Sequence, residues 1–288
     1  MWAHLKSMLW RRAGRREAAG PRIGRHLEAP PLRIDVEASE ADCRRLFERV
    51  VRKWTLLGTE RPHWSVLTHE AFQPRNIAGN EDAFFESGRY GPARVEAFFR
   101  RNGQRLDRGQ TCLEFGSGVA RVTIHLARLF HRVVAVDVSR PHQDLAASAL
   151  AAHGASNVSL VTVSRLDDLA NLPPFHVLFS HLVFQHNPPP LSARLLRTLL
   201  ERLPDGGYCL FQLATYHDGY EFGTEGYLAG DTADEIEGHV LPQRDVFRIL
   251  REARVDVIEV CEDDSIGQPA YQSMTFFGRK QPPRVQCR

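Results

Sequence analysis

The stretch LEFGSGVAR, residues 113–121, determines the expected fold of this 288-residue chain. Its two glycines, Gly116 and Gly118, stand between an acidic residue, Glu114, and an apolar run with helical spacing. Glycine lets the backbone turn sharply there and brings its N–H groups close to a ligand. The stretch therefore predicts a strand, a tight ligand-binding turn and a helix.

After Gly109, short β-branched runs alternate with helical runs, which is typical of parallel βαβ units. We expect strands at 111–115, 132–138, 158–163, 176–182 and 208–214, and helices at about 119–130, 141–153 and 189–203. A further helix at 242–253 precedes two runs, 255–263 and 272–280, that are spaced to pair as an antiparallel hairpin. The predicted fold class is α/β, a Rossmann-like, seven-stranded, mostly parallel sheet with a C-terminal antiparallel hairpin.

The chain before the α/β region predicts an N-terminal helical cap. Apolar residues recur at helical spacing from Ser39 to about Leu57 and again near Glu81–Arg101. The expected organisation is a basic tail, the cap, the α/β domain and a short tail, at 1–30, 31–108, 109–280 and 281–288. Two interpretations of the first tail stay open, a disordered segment or weak contact with an anionic membrane surface.

Composition narrows the class of partner. The net charge is only +2, and the body of the chain has no basic stretch interleaved with aromatic residues, so we expect a small-molecule partner and no nucleic acid. No apolar run reaches the length of a membrane span. The five cysteines stand alone, without zinc spacing, which predicts reduced thiols, a cytoplasmic protein and no metal: Cys43, Cys112, Cys209, Cys261 and Cys287.

Asp137 ends the second predicted strand, 23 residues beyond Glu114, where a carboxylate can bind both hydroxyls of a ribose. A nucleoside-containing cofactor is therefore expected. A dinucleotide enzyme usually has a third glycine in the turn, and this chain has Ala120. Glu114 would set a negative charge near a pyrophosphate, whereas it suits a cationic sulfonium ligand that carries an amino group.

The region from about Thr111 to Lys280 resembles the class I S-adenosylmethionine-dependent methyltransferases. LEFGSGVAR is similar to the first motif of that family, and Asp137 matches its ribose-binding acid. FHVLFSHLVFQH (175–186) is similar to the fourth strand and the loop after it, and RLPDGGYCLFQL (202–213) to the turn and fifth strand. The terminal hairpin likewise fits the family's sheet.

The resemblance implies S-adenosylmethionine as the cofactor. The cofactor-binding residues that it implies are Glu114, Gly116, Ser117, Gly118, Asp137, Val138, Ser164, Arg165 and Ser180. Ser164 stands where the family often has an acid that binds the adenine amino group, so the adenine contact stays open. His176 replaces an Asp that commonly opens the fourth strand of the family.

Methyl transfer is an in-line displacement, so the enzyme mainly has to hold the acceptor atom close and aligned. An alcohol acceptor also needs a base, and histidines near the sheet edge are the candidates. The predicted catalytic residues are His186, the first choice, His181 and His217. Residues 215–240 predict a lid loop, and the predicted acceptor-binding residues are Trp64, Tyr216, Tyr220 and His239.

The leading interpretation is methyl transfer to a small organic acceptor, an O-methylation of a sugar or natural-product hydroxyl. One alternative is a nicotinamide-dependent oxidoreductase, which Ala120 and Glu114 disfavour. The other is a non-catalytic protein that keeps the S-adenosylmethionine pocket without turnover.

Overall fold

Each predicted β-branched run of the α/β region forms a strand. The computed structural model describes residues 30–230, 236–268 and 270–283, so the predictions for the tails at 1–29 and 284–288 lie outside the described residues. The strands are β1 (Arg33–Ile34), β2 (Thr111–Phe115), β3 (Arg132–Asp137), β4 (Val158–Thr162), β5 (Val177–Ser180), β6 (Tyr208–His217), β7 (Glu221–Phe222), β8 (Val255–Asp263) and β9 (Tyr271–Lys280).

The main sheet has seven strands in the order β4-β3-β2-β5-β6-β9-β8. Strands β2 to β6 run parallel, while β9 pairs antiparallel with both β6 and β8. The predicted α/β class and the antiparallel hairpin are therefore confirmed. The strand order reverses at β2, and ligands of open α/β sheets bind at such a reversal, beyond the carboxyl ends of the strands.

Helices cover both faces of the sheet. They are α1 (Glu40–Glu60), α2 (Pro62–Val66), α3 (Glu81–Ser87), α4 (Tyr90–Arg101), α5 (Thr123–Leu129), α6 (Arg140–Ala152), α7 (Pro189–Arg202), α8 (Thr224–Ala229) and α9 (Gln243–Glu252). Ser39 caps the N-terminus of α1, since its hydroxyl accepts the N–H of Asp42 at 3.1 Å. Leu46 and Phe47 of α1 are buried in the same apolar core as α7 and α9.

The stretch predicted as helical near 81–101 contains two helices, α3 and α4, separated at Gly88. A Cβ atom at Gly88 would lie 1.8 Å from the carbonyl oxygen of Arg121. The chain therefore bends where only glycine allows the α3–α4 corner to approach the turn after β2 so closely.

The prediction of a simple lid loop over 215–240 is wrong in part. Strand β6 continues to His217, and β7 pairs in parallel with β1 from the N-terminal region. Helix α8 follows, and residues 231–235 lie outside the described ranges. Arg49 of α1 donates hydrogen bonds to the carbonyl oxygens of Tyr227 and Gly230, the latter at 2.7 Å. The N-terminal region thus holds this segment in place.

The part of the chain from Arg33 onward forms one compact unit. Cys43, Cys112 and Cys209 are buried free thiols within it. Within the described ranges, none of the helices has both the length and the apolar character needed to cross a membrane.

Candidate functional site

A cavity of about 700 Å³ opens at the carboxyl ends of β2, β3 and β5. Its size falls in the range of small-molecule sites. Residues of α1, α2, the segment 236–238 and the loop between β8 and β9 complete its wall. The predicted site residues that line it are Trp64, Glu114, Gly116, Ser117, Gly118, Asp137, Val138, His181 and His186.

The glycine turn follows β2 directly. Gly116 and Gly118 have left-handed φ angles of 82° and 54°. A Cβ atom would lie 2.2 Å from the Val183 side chain at the first position and 2.7 Å from the Val66 side chain at the second. Ala120, at the position of the missing third glycine, also has a left-handed φ of 65°. The backbone path of a glycine-rich turn is thus kept without that glycine.

Asp137 connects this turn to the next helix. Its Oδ2 accepts the N–H of Gly118 at 2.8 Å, and its Oδ1 accepts the N–H of Ser139 at 2.9 Å. A carboxylate offers about four acceptor positions, so two backbone donors leave capacity on each oxygen for ligand hydroxyls. Val138 follows and also lines the cavity. The carboxylate is therefore both part of the turn and available to a ligand.

Glu114 is buried, with 4% of its surface exposed, and still lines the cavity. Its Oε2 accepts a 2.6 Å hydrogen bond from the hydroxyl of Thr123. Burial raises the pKa of its carboxyl group to about 8, because a charge withdrawn from water is disfavoured. A cationic ligand group beside Glu114 would restore the ionised form.

Arg121, the last residue of LEFGSGVAR, also lines the cavity and is 6% exposed. Its guanidinium donates to the hydroxyls of Ser87 at 3.1 Å and Tyr90 at 3.4 Å. Its Nε atom is buried without a hydrogen-bond partner in the described part of the chain. Sequence reasoning missed this residue, although an arginine within an otherwise apolar run after the turn was a visible signal.

Arg121 and the ionised form of Glu114 place opposite charges beside one cavity, and the described hydrogen bonds of each go to neutral hydroxyls. Buried charges normally need a charged or strongly hydrogen-bonding partner. An α-amino acid supplies both an ammonium and a carboxylate. Together with the glycine turn and Asp137, these residues fit a ligand that joins an amino acid to a ribose.

His181 belongs to a directed chain of hydrogen bonds. Ser265 contacts Asp263 through both its N–H and its hydroxyl, and the carboxylate only accepts. Nε2–H of His181 therefore donates to Ser265 Oγ at 3.1 Å, and Nδ1 accepts the Tyr90 hydroxyl at 2.9 Å. Burial lowers the pKa of His181 to about 3, so its ring is neutral and its accepting nitrogen is already used by Tyr90.

His186 has a different pattern. Its Nδ1 lies 2.9 Å from the carbonyl oxygen of Glu237 and must donate to it, which makes Nε2 the accepting nitrogen. The described contact of Nε2 is a 3.4 Å approach of the Gln185 amide. Burial lowers the pKa of His186 to about 4. His186 therefore presents an uncharged proton acceptor at the cavity wall, with its ring 5.4 Å from that of Trp54.

Tyr220 and His239 reach the cavity through Glu237. The Tyr220 hydroxyl lies 2.7 Å from His239 Nδ1, and His239 Nε2 lies 3.1 Å from Glu237 Oε2. Glu237 also accepts from Lys53 at 2.7 Å and Tyr227 at 2.6 Å. Although burial opposes it, hydrogen bonding from these partners lowers the pKa of Glu237 to about 2. The segment 215–240 is thus joined to α1 by the partly buried ion pair of Glu237 and Lys53.

Tyr216 and His217 stay outside the cavity wall as the structure describes it. The reason is that β6 runs on through both residues and pairs them with β9. The His217 ring packs 4.4 Å from that of Tyr271, which does line the cavity. His217 is therefore separated from a ligand by one side chain.

The predicted cofactor residues Ser164, Arg165 and Ser180 also lie off the described cavity wall. Ser164 and Arg165 are exposed, and the Asp168 carboxylate accepts their backbone N–H groups at 3.1 and 2.9 Å. Ser180 is buried, and its hydroxyl donates to the carbonyl oxygen of Phe115 at 3.0 Å, joining β5 to β2. Ser180 thus supports Phe115, which lines the cavity, whereas the contacts of Ser164 and Arg165 stay within their own loop.

Sequence reasoning also missed several residues of the cavity wall from distant segments. Trp54 and Arg61 come from α1 and the junction with α2, and Ser265 and Gln268 come from the loop between β8 and β9. The helical spacing of Trp54 indicated only a buried face. The hairpin loop carried no signal, because a loop's direction depends on the sheet that it leaves.

A family model described as a methyltransferase domain matches residues 87–254 of the chain. A search of curated protein sequences found no match. The magnesium protoporphyrin IX methyltransferase of Synechocystis PCC 6803, solved with bound SAM, is 14% identical, with 80% of this chain and 97% of that chain covered and a TM-score of 0.51. A S-adenosylmethionine-dependent methyltransferase from Clostridium acetobutylicum ATCC 824 is 13% identical, with 72% and 99% covered and a TM-score of 0.51.

These solved structures have the same fold. The family match includes the glycine turn, Asp137, both cavity histidines and β6, and it ends before the C-terminal hairpin. The prediction that the chain resembles methyltransferases is thereby confirmed, and the chain belongs to the methyltransferase domain family.

Proposed function

We propose that this enzyme transfers a methyl group from S-adenosylmethionine to a hydroxyl group of a small organic acceptor, a sugar or another natural product. The observation that carries the proposal is the set of charges around one cavity, with Glu114 and Arg121 on one side and Asp137 beside the glycine turn. S-adenosylmethionine has an ammonium, a carboxylate and a ribose, which match these groups in kind. Glu114 and Asp137 in the same cavity would repel the pyrophosphate of a nicotinamide cofactor.

In this proposal the cofactor's ammonium lies against Glu114, its carboxylate against Arg121 and its ribose hydroxyls against Asp137. The backbone of Gly116 to Gly118 allows close approach. The hydroxyl of Ser117 accepts a 2.9 Å hydrogen bond from the Gln143 amide, which orients it within the turn. Bound in this way, the cofactor would supply the electrophilic methyl carbon.

The enzyme's part in the reaction is to align the acceptor and to take its proton. As the new C–O bond forms, the acceptor oxygen becomes strongly acidic, so even a base of low pKa can accept the proton. We propose His186 as that base, because it lines the cavity and the described contact of its accepting nitrogen Nε2, with the Gln185 amide, is long at 3.4 Å. His181 can take a proton only through the Tyr90 hydroxyl, and His217 only if the side chain between it and the cavity moves. They are therefore the second and third candidates for the base.

The class of acceptor is proposed from other residues of the cavity wall. Tyr271 offers aromatic surface, and Gln268 and Asn187 offer hydrogen-bonding groups. Such a mixture suits a hydroxylated organic molecule. We further propose that the enzyme is cytoplasmic and has no nucleic-acid partner. Its tail, cap and methyltransferase domain are divided near residues 30 and 109. Tyr216, Tyr220 and His239 support the residues that bind the acceptor.

The test combines binding and turnover. Calorimetry with S-adenosylmethionine, S-adenosylhomocysteine and NAD should give binding for the first two only, and tight NAD binding alone would support the oxidoreductase. A screen of sugars and phenols with a radiolabelled methyl donor should then give labelled product. Cofactor binding with no product from any cell extract would instead support a non-catalytic binding protein.

A further inference from the structure

The edge of the sheet at β4 provides no contact for the cofactor's base in the described structure. Ser164 and Arg165, which follow β4, are exposed, and the nearby Asp168 carboxylate accepts their backbone N–H groups. No residue from 163 to 168 lines the cavity as described. An adenine bound beside Asp137 must therefore find its partners on another side.

That other side is formed by the N-terminal helices. Ser65 of α2 lies with its hydroxyl 2.9 Å from Nε2 of His142, in the first turn after Asp137. The Val66 side chain lies 2.7 Å from the place of a Cβ on Gly118. At the end of α1, a Cβ on Gly58 would lie 2.5 Å from the Ser139 hydroxyl. The junction of α1 and α2 thus packs directly on the ribose side of the cavity.

Two tryptophans of this junction line the cavity. Trp64 is half-buried, and the Arg61 guanidinium lies 4.6 Å from its ring centroid. The centroid of the Trp54 ring lies 6.3 Å from that of His142 and 5.4 Å from that of His186. Both rings are held by neighbours and still contribute to the wall, as expected of surfaces on which a planar ligand stacks.

We propose that the adenine of the cofactor is bound by Trp54 and Trp64 of the N-terminal helices, together with Val138, and not by the loop after β4. The inference rests on the proposed function, since it presumes S-adenosylmethionine in this cavity. Aromatic side chains bind nucleobases by stacking, which needs no acid at the adenine amino group. Arg61 strengthens the site because a guanidinium fixes the Trp64 ring.

The competing role for these tryptophans is acceptor binding. The two roles differ in a measurable way, because an acceptor-binding residue does not change the affinity of the cofactor measured without acceptor. Calorimetry should therefore compare S-adenosylhomocysteine with S-ribosylhomocysteine, which keeps the amino acid and the ribose and lacks the base. The variants are Trp64→Leu and Trp54→Leu, with Trp64→Phe and Trp54→Phe keeping an aromatic face.

We expect each leucine variant to bind S-adenosylhomocysteine about 10- to 100-fold more weakly, with the affinity for S-ribosylhomocysteine unchanged. The phenylalanine variants should recover most of the loss. Ser164→Ala and Asp168→Ala serve as matched controls from the loop after β4 and should bind both ligands as the wild type does. Quenching of tryptophan fluorescence by S-adenosylhomocysteine should shrink in Trp64→Phe.

The proposal is overturned if both leucine variants bind S-adenosylhomocysteine within twofold of wild type, or if they weaken both ligands equally. A selective loss in Ser164→Ala or Asp168→Ala would also overturn it, in favour of the loop after β4. If the wild-type protein binds neither S-adenosylmethionine nor S-adenosylhomocysteine, the proposed function itself fails. Melting temperatures identify any variant that loses its fold, and the paired phenylalanine variant then decides.

Discussion

The hydroxyl group of Thr123 donates a 2.6 Å hydrogen bond to Oε2 of Glu114, the buried carboxyl group beside the glycine turn. This neutral donor and the charge of Arg121 together do not compensate the loss of hydration of the carboxylate. The pKa of Glu114 is accordingly raised to about 8. The ligand-free protein therefore carries a group that is unfavourable for stability, as expected where a charge is reserved for a ligand.

Glu114→Gln should stabilise the ligand-free protein, and more so at high pH. The folded pKa near 8 lies above the ordinary value of 4.5, so the folded state keeps a proton that the unfolded chain has released between these values. The wild type's free energy of unfolding thus falls as pH rises through this range. Between pH 5.5 and 8.5 we expect the variant's advantage to grow by about 1–3 kcal/mol, measured by thermal melts.

The same variant should bind S-adenosylhomocysteine about 10- to 100-fold more weakly, because the ligand's ammonium loses its anionic partner. Thr123→Val is the matched control, since it removes the hydrogen bond and keeps the carboxyl group. Parallel melting curves for Glu114→Gln and wild type at all pH values would show that Glu114 does not titrate in this range.

Gly116→Ala should destabilise the protein as well as weaken cofactor binding. The new Cβ would lie 2.2 Å from Val183, and a left-handed φ of 82° adds backbone strain of about 1–3 kcal/mol. Gly219→Ala is the matched control, because Gly219 has a φ of 69° and open space around it. Adding Val183→Ala to Gly116→Ala relieves the contact with the Val183 side chain and leaves the backbone strain. Melting temperatures that are equal for the two single glycine variants would contradict the close packing at Gly116.

Gly88→Ala should destabilise the folded protein. Its Cβ would lie 1.8 Å from the Arg121 carbonyl oxygen, a backbone atom that cannot move without shifting the turn. We expect a loss of about 1–3 kcal/mol or more, with weaker cofactor binding because Arg121 is displaced. Gly79→Ala, where nothing lies within 4 Å of the new atom, is the control. Equal stability of both variants would refute this packing.

The strands at 111–115, 132–138, 158–163, 176–182 and 208–214 could be predicted because each is a short, mostly apolar run, and a parallel sheet buries both faces of such runs. Strands β1 and β7 could not be predicted, since a strand of two residues shows no periodicity. Their pairing also joins residues that lie far apart in the sequence, Arg33 and Glu221. The position of the final hairpin followed from its two runs, whereas the direction of its loop toward the cavity did not.

Within the site, the residues carried by one continuous stretch were predictable, as Glu114, Gly116 and Gly118 illustrate. Pairings across the chain were not. Lys53 and Glu237 meet 184 residues apart, and neither position has a local pattern that indicates the other. Arg121 was visible as a charge in an apolar run, yet its partners from α3 and α4 become neighbours only through the bend at Gly88.

Asp137→Asn should separate the two roles of this carboxyl group. The amide oxygen can still accept one backbone N–H, so the fold should be less affected than in Asp137→Ala, which loses both contacts to Gly118 and Ser139. Cofactor affinity should fall by about 1–3 kcal/mol in either variant, because the ribose loses a charged acceptor. Calorimetry and melting temperatures measure the two effects. Wild-type affinity in Asp137→Asn would mean that this group does not bind the ribose.

His186→Ala should lower turnover about 10²- to 10⁴-fold while cofactor affinity stays near wild type, if His186 is the base. His186→Asn should give the same loss, because its amide N–H can keep the contact with the Glu237 carbonyl while the accepting nitrogen is removed. His181→Ala and His217→Ala should lose less, and the exposed His176→Ala should lose nothing. Turnover needs the authentic acceptor or a surrogate found in the methylation screen.

The pH dependence of the wild type checks the same assignment. The pKa of His186 is about 4 in the folded protein, so the ring stays neutral and able to accept a proton throughout the range from pH 6 to 9. Its contribution to turnover should therefore be constant there and should decline only as pH falls toward 4. An acid limb near pH 6.5 that disappears in His186→Asn would contradict the buried, neutral state. Wild-type turnover in all three histidine variants would exclude His186, His181 and His217 as the base.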